Sequence, residues 1–268
     1  MATAWRSVIT RRRAGGDPAR PSWIGSKAAA TVVGSSSSYS SPCRSAPRRL
    51  KYWSSVARTE GNRLPGTRTL AATLFVSLDG VVESPEKWSF PFWSEETQKF
   101  KFDETFASDA LLLGRVTYEG FAAAWPGRKD PDGFADRFNS MPKFVASRTL
   151  KKLAWNNSHL IKGDLAGEVS KLKEQPGRDI VIHGSPGLIR SLLPSGLIDE
   201  FRLLVYPLVL GHGKRLFDEG SQASLKLVES TTFSKGVVKL VYRPADKAGQ
   251  AKQRETARPK RNTKRRKA

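Results

Sequence analysis

Ala110-Leu111-Leu112-Leu113-Gly114-Arg115-Val116-Thr117-Tyr118-Glu119 is the stretch whose reading decides the fold. Four apolar residues run without polar alternation, as in a central parallel strand covered on both faces. The run stops at a glycine, and a helical pattern follows over 117–124, ending before Trp125-Pro126-Gly127. A strand entering a helix through glycine is the opening of a βα unit, and the strand's carboxyl end is where such sheets hold ligands. Gly114 lets a ligand approach the backbone. The helix N-terminus beyond it offers N–H groups and a positive dipole end, with the Arg115 guanidinium and Thr117 hydroxyl as further donors, a set suited to phosphate. A plain capped helix, with Thr117 as N-cap and Arg115 on the surface, accounts for the same residues.

Outward from this stretch the pattern repeats. Residues 70–78 read as a strand ending in the turn Asp79-Gly80. Residues 95–107 read as a half-buried helix with Phe100, Phe102 and Phe106 spaced among charges. Strands are predicted over 143–147 and 159–162, a helix capped by Asp164 over 164–174, and a strand over 179–183. A helix with Pro186 at its start covers 186–193, where the missing N–H costs nothing. The last strands are 201–205, 225–230 and 236–242, the final pair forming an antiparallel hairpin. The chain therefore predicts an α/β fold, with a mostly parallel central sheet, an antiparallel C-terminal edge and helices on both faces.

Two further strand ends carry chemistry. His183-Gly184-Ser185-Pro186-Gly187 leads a strand into a helix through small residues and can line the other side of a pyrophosphate. It matches neither the three-glycine dinucleotide fingerprint nor the Gly-Lys-Ser/Thr phosphate loop, and a tight βα turn explains it equally. Ala146-Ser147-Arg148-Thr149 offers a hydroxyl and a guanidinium, which suit the ribose 2′-phosphate that separates NADP from NAD; its other reading is a surface turn.

The 268 residues hold 46 Lys+Arg against 25 Asp+Glu, a net charge of +21 that taken alone suggests a polyanion binder. Residues 1–67 contribute 12 basic and 2 acidic groups, residues 246–268 contribute 10 and 2, and residues 68–245 only 24 and 21. The excess belongs to the ends. The first segment reads as a disordered Ser/Arg-rich extension with the composition of an organellar transit peptide, so the expected location is the cytoplasm, or an organelle if that segment acts as an address. The last reads as a disordered basic tail, with no interleaved aromatic residue to stack on nucleic-acid bases. Its role as nuclear address, non-specific polyanion contact or solvated tail stays open. Residues 68–245 are one domain. No run of 18 apolar residues crosses a membrane. The lone Cys43 excludes an internal disulfide, and His159, His183 and His212 lack ligand spacing, so no metal is expected.

Five blocks in order carry a family resemblance: Phe75-Val76-Ser77-Leu78-Asp79-Gly80, Leu113 to Glu119, His183-Gly184-Ser185, Leu197 to Leu203, and Pro207-Leu208-Val209-Leu210-Gly211-His212-Gly213-Lys214-Arg215-Leu216-Phe217. Over residues 69–243 the chain resembles the dihydrofolate-reductase-like superfamily, and within it the branch of the reductase domain of the bifunctional riboflavin-biosynthesis deaminase–reductase. The resemblance implies a three-layer dihydrofolate-reductase-like fold, an NADPH cofactor, and hydride transfer to a pyrimidine- or pteridine-like substrate such as 5-amino-6-(5-phosphoribosylamino)uracil. By position it assigns Gly114, Arg115 and Thr117 to the cofactor phosphates and Ser147 and Arg148 to the 2′-phosphate. Gly184, Ser185 and Gly187 fall to the pyrophosphate, and Asp79 to the substrate side as the catalytic candidate, unless Asp79 is only the turn residue of Asp-Gly. Related domains pair through their late strands, which implies a homodimer. The carboxylate that dihydrofolate reductases carry on the preceding helix falls near Gln98-Lys99 here, which speaks against dihydrofolate itself. A deaminase half would need a His/Cys/Cys zinc motif that this chain lacks. Dihydrofolate reductase proper, and a non-catalytic nucleic-acid-associated protein working through its basic ends, are the alternatives. His183 and His212 read as structural or loop residues, with His183 also placed to give a proton. Trp88, Trp93 and Trp125 read as core or cleft walls.

Overall fold

A computed structural model describes residues 67–245. The extension and the tail expected over 1–66 and 246–268 lie outside the described residues. The strands are β1 (Leu70–Ser77), β2 (Ser108–Gly114), β3 (Lys143–Ala146), β4 (Ser158–Ile161), β5 (Asp179–His183), β6 (Glu200–Tyr206), β7 (Leu225–Thr232) and β8 (Val238–Pro244). The helices are α1 (Glu95–Ala107), α2 (Arg115–Ala124), α3 (Phe134–Ser140), α4 (Leu165–Glu174) and α5 (Pro186–Leu192). All eight strands join one sheet in the order β4-β3-β2-β5-β1-β6-β8-β7. The pairs from β4 through β6 are parallel, and β8 and β7 close the sheet antiparallel. This is the mostly parallel α/β sheet with an antiparallel edge that the residue pattern predicts, layered as the dihydrofolate-reductase-like resemblance implies.

The unbroken apolar run explains why β2 is central. Ala110 to Leu113 are each 0% exposed because both faces of the strand are covered. Ala110 and Leu112 face a core with Leu70, Ala72, Leu74, Ile180 and Ile182 under Val169 and Leu172 of α4 and Leu188, Ile189 and Leu192 of α5. Leu111 and Leu113 face the other core, with Tyr118 of α2 and Phe134 and Phe138 of α3. Helix α1 lies on this second side, with Lys101 reaching Thr73 of β1. Asp164 caps α4 as expected, accepting from the N–H groups of Ala166 and Gly167 at 3.1 Å each.

Two local expectations are corrected, and one helix adds to those expected. Helix α2 begins at Arg115 with Gly114 as its N-cap, so Thr117 is its third residue and not its cap. Helix α3 follows a Pro/Gly-rich loop and is only seven residues long, too short for its period to show in the sequence. It is started by Asp130, whose carboxylate accepts from Phe134 N at 2.9 Å and Ala135 N at 2.5 Å. In α1 the phenylalanines do not form the buried face; Thr97, Lys101, Glu104 and Thr105 do. The rings pack at its flanks, Phe102 stacking on Phe106 with centroids 4.2 Å apart. Among the described residues no helix is long and apolar enough to cross a membrane, and no cluster of His, Cys, Asp and Glu is arranged to hold a metal ion.

Candidate active site

Because the strands from β4 to β6 are parallel, the turns that leave their carboxyl ends share one edge of the sheet. Along that edge the turns after β3, β2, β5, β1 and β6 follow in that order. Strands β2 and β5 are neighbours, yet α2 leaves toward one core and α5 toward the other. Two neighbouring strands whose helices depart to opposite faces leave a crevice between their ends, the place where open α/β sheets bind ligands.

Six of the sequence candidates meet in that crevice. Ser185 accepts a hydrogen bond from Gly114 N at 3.0 Å, and its hydroxyl donates to Thr117 Oγ1 at 2.9 Å. One hydroxyl therefore ties the start of α5 to the start of α2. The tie requires an unusual backbone: Gly184 and Ser185 both adopt positive φ, +55° and +54°. Glycine takes that conformation freely, whereas serine does so at a cost its hydrogen bonds offset. Gly187 is exposed, with open space where a side chain would stand. Arg115 is exposed at the mouth and pairs with Glu119 at 3.1 Å, a surface ion pair that is weak and easily exchanged for a ligand anion.

The remaining candidates flank the crevice. On the β3 side, Ser147 accepts from Thr149 N at 3.2 Å and Leu150 N at 3.0 Å, which shapes the turn. Arg148 stands exposed at its tip, with no ion-pair partner among the described residues. On the β1 side, Asp79 commits both oxygens. Oδ1 accepts from Ser77 Oγ at 2.6 Å and Leu210 N at 3.1 Å, and Oδ2 from Gly211 N at 2.9 Å. The Ser77 hydroxyl first, then the Leu210 and Gly211 amides, hold its pKa down to about 2. The carboxylate thus latches the loop after β6 onto the turn after β1. Trp125 is 1% exposed among Phe134 and Phe138, in the core. Trp88 and Trp93 pack near the ends of β1 and β6, against Tyr206 at 5.3 Å and Phe75 at 6.2 Å respectively. His212 is an exposed loop residue.

Below the crevice lies a group of charges that the sequence reading passed over. Glu104 pairs with Lys101 and with Arg202 of β6, the latter at 3.4 Å. Arg202 also reaches Asp179 at 3.0 Å and Glu200 at 2.7 Å, and Arg243 closes on Glu200 at 3.0 Å. Burial works against the Glu104 carboxylate, but Lys101 and Arg202 outweigh it and hold its pKa down to about 2. His183, at the end of β5, sits beside this group, edge-on to Phe121 at 6.2 Å and Phe138 at 5.5 Å. A signal existed in the sequence: Thr97, Lys101, Glu104 and Thr105 form a polar stripe at helical spacing, the reverse of the usual apolar stripe. Lys143, 0% exposed on β3, was also missed. It donates to the carbonyls of Asn139 and Asn156 and lies 4.2 Å from the Trp155 ring centre, and burial pulls its pKa down to about 8.

With the edge and its crevice in place, the comparison with known proteins is direct. The RibD C-terminal domain family matches residues 68–239. The chain belongs to that family. Its RibD C-terminal domain holds β1 to β7 and the first two residues of β8. It is 36% identical over 180 residues to the uncharacterized protein YyaP of Bacillus subtilis strain 168, covering 65% of this chain and 94% of that protein. It is 28% identical over 169 residues to the uncharacterized protein YwjB of the same organism, covering 60% and 90%. Among solved structures, a protein of Shewanella sp. PV-4 named for riboflavin biosynthesis superposes on the RibD C-terminal domain with a TM-score of 0.55 at 22% identity. The overlap covers 66% of this chain and 99% of that one, a likeness of fold.

Proposed function

We propose that this RibD C-terminal domain protein is an NADPH-dependent reductase that transfers hydride to a pyrimidine- or pteridine-like heterocycle, of the kind of 5-amino-6-(5-phosphoribosylamino)uracil. The observation that carries the reading is the crevice between β2 and β5, where Ser185 binds the starts of two helices together. Helix starts present N–H groups and positive dipole ends, so paired starts suit a pyrophosphate better than one alone. Gly187, with open space where a Cβ would project, leaves room for the backbone to meet phosphate oxygens. In this reading Gly114, Arg115, Thr117, Gly184, Ser185 and Gly187 hold the pyrophosphate. Arg148, with Ser147 shaping its turn, takes the 2′-phosphate. Asp79 acts on the substrate side by holding the loop after β6 in place.

NADPH supplies the hydride when bound. The chain's part is to orient the cofactor along the strand ends, to exclude water and to hold the substrate against it. The described acids of α1 favour the aminouracil over dihydrofolate. Glu104 faces the sheet but is engaged by Lys101 and Arg202, while Asp103 pairs with Lys99 on the exposed side. A homodimer through the C-terminal edge fits β7, where Leu227 and Val228 stay 48% and 42% exposed. The nucleic-acid reading draws on segments outside the described residues and gains nothing from the crevice.

A fluorescence titration of the full chain with NADPH and NADH tests the proposal. NADPH should bind more tightly, and Arg148→Ala should erase tenfold or more of that preference, the scale of one charged hydrogen-bond pair. No NADPH binding, or a preference that Arg148→Ala leaves untouched, overturns it. A substrate panel containing the aminouracil phosphate and dihydrofolate then fixes the acceptor.

A further inference from the structure

Lys101 reaches from α1 to the middle of the sheet with a side chain only 3% exposed. An ammonium has three hydrogens and no lone pair. Its three neighbours are Thr73 Oγ1 at 3.2 Å, the Glu104 carboxylate, and His183 Nδ1 at 3.4 Å. Burial pulls the Lys101 pKa down and the paired Glu104 carboxylate opposes that. As the ammonium of this ion pair Lys101 cannot accept, so Nδ1 is the acceptor nitrogen of the imidazole and the ring proton sits on Nε2. Burial first, then the Lys101 charge, hold the His183 pKa down to about 3, so the ring is neutral. The charges around it balance without it, Lys101, Arg202 and Arg243 facing Glu104, Glu200 and Asp179.

The Nε2–H that results has no hydrogen-bond partner among the described residues, although the residue is only 6% exposed. A buried donor left unpaired costs about 1–3 kcal/mol, and an apolar side chain would avoid that cost. The position is also particular. His183 ends β5, directly precedes the Gly184-Ser185 tie, and lies on the side of the sheet that carries α1 and α2.

We propose that His183 is a substrate-contacting residue whose Nε2–H is reserved for an acceptor atom of the heterocycle, a ring carbonyl oxygen or imine nitrogen, and that Lys101 is the positioning residue that sets its tautomer. The identity of the acceptor rests on the reductase reading; the tautomer does not. Nε2 is fully covered, with Phe121 of α2 and Phe138 of α3 edge-on to the ring, so contact with an acceptor requires one of these rings to move aside.

The test has two arms. In the first, 15N-histidine spectra of the full chain, with its three histidines assigned using His183→Gln, report which ring nitrogen carries the proton. A bare Nδ1 and a protonated Nε2 are expected at neutral pH, with Lys101→Met mixing the tautomers and Lys101→Arg preserving them. An Nδ1–H tautomer, or an imidazolium, overturns the assignment. In the second arm, His183→Phe should keep NADPH affinity within about twofold while kcat/KM for the aminouracil falls ten- to a hundredfold. His183→Gln, which keeps an N–H at similar reach, should retain most of it and serves if the Phe variant does not fold. Unchanged kcat/KM in His183→Phe, or equal losses in both variants, sinks the substrate role. If the wild-type chain fails to bind NADPH, the reductase reading falls and the substrate role with it, and the tautomer is judged on the spectra alone.

Discussion

Under α4 and α5, strands β1 and β5 present Leu70, Ala72, Leu74, Ile180 and Ile182, which pack with the apolar side chains of those helices. One residue further along the same strands, on the opposite face, Thr73 and His183 meet Lys101 and Glu104 of α1, with Arg202 of β6 beside them. Both regions are buried, and both are packed against helices. The apolar side stabilises by removing surface from water, about 1.5–3 kcal/mol for each large side chain. The charged side gives little net stabilisation, because desolvating the ions offsets their attraction. A buried ion network in half of the sheet is therefore poor material for stability alone. Its place beneath the crevice ties it to orienting groups at the strand ends.

The comparison breaks first at Glu104. Glu104→Leu strands Lys101 and Arg202 without their shared carboxylate and should cost about 3–5 kcal/mol, measured by urea unfolding, whereas replacing Lys101, Glu104 and Arg202 together by apolar residues should cost far less. If the single and triple changes cost the same, the charged side is ordinary packing. On the apolar side Leu112→Ala should cost about 2–5 kcal/mol, through lost burial and the cavity left behind, and leave NADPH affinity unchanged. A large loss of affinity in that variant would show that the two sides are not separable.

Acid sharpens the contrast next. His183 is depressed from 6.5 to about 3 and Glu104 from 4.5 to about 2. Both folded values lie below the unfolded ones, so the unfolded chain binds more protons and stability is lost as pH falls. Between pH 6.5 and 4.5 the loss belongs to His183, and below that Glu104 joins it. Melting temperatures should decline as pH falls below 6.5, and His183→Gln should flatten the upper part of that decline. An unchanged upper limb in that variant would refute the assignment. The smallest effect is expected at the crevice, where Ser185→Ala removes one hydroxyl between the two helix starts. About 1 kcal/mol of stability and a several-fold loss of NADPH affinity should follow, and a loss of stability with full affinity would mean the tie serves folding only.

The legible part of the site lay where glycines and short polar residues interrupt apolar runs. Gly184, Ser185, Arg148 and Asp79 stand in turns after strands, Gly114 ends β2 and Thr117 lies in the first turn of α2, and such residues announce themselves by type. Helix α3 and the buried face of α1 were not legible. The first is too short for a period to accumulate, and it depends on Asp130, which precedes it by four residues. The second inverts the usual pattern, burying lysine and glutamate while phenylalanines sit on its flanks. Its partners lie far off in the chain, Arg202 98 residues from Glu104 and His183 82 from Lys101, beyond the reach of local spacing.

What sequence alone determined is the order of the strands and of every helix but α3, the antiparallel close and the turns that hold the candidate cofactor groups. Each of these follows from local periodicity and turn chemistry. Only the tertiary structure decided that β2 and β5 stand side by side, and so brought Ser185 to Gly114 and Thr117 across about 70 residues of chain. It alone also turned Asp79 into a latch and set Lys101 against His183. Those are contacts between distant segments, set by which strands pair, and pairing is a property of the whole sheet.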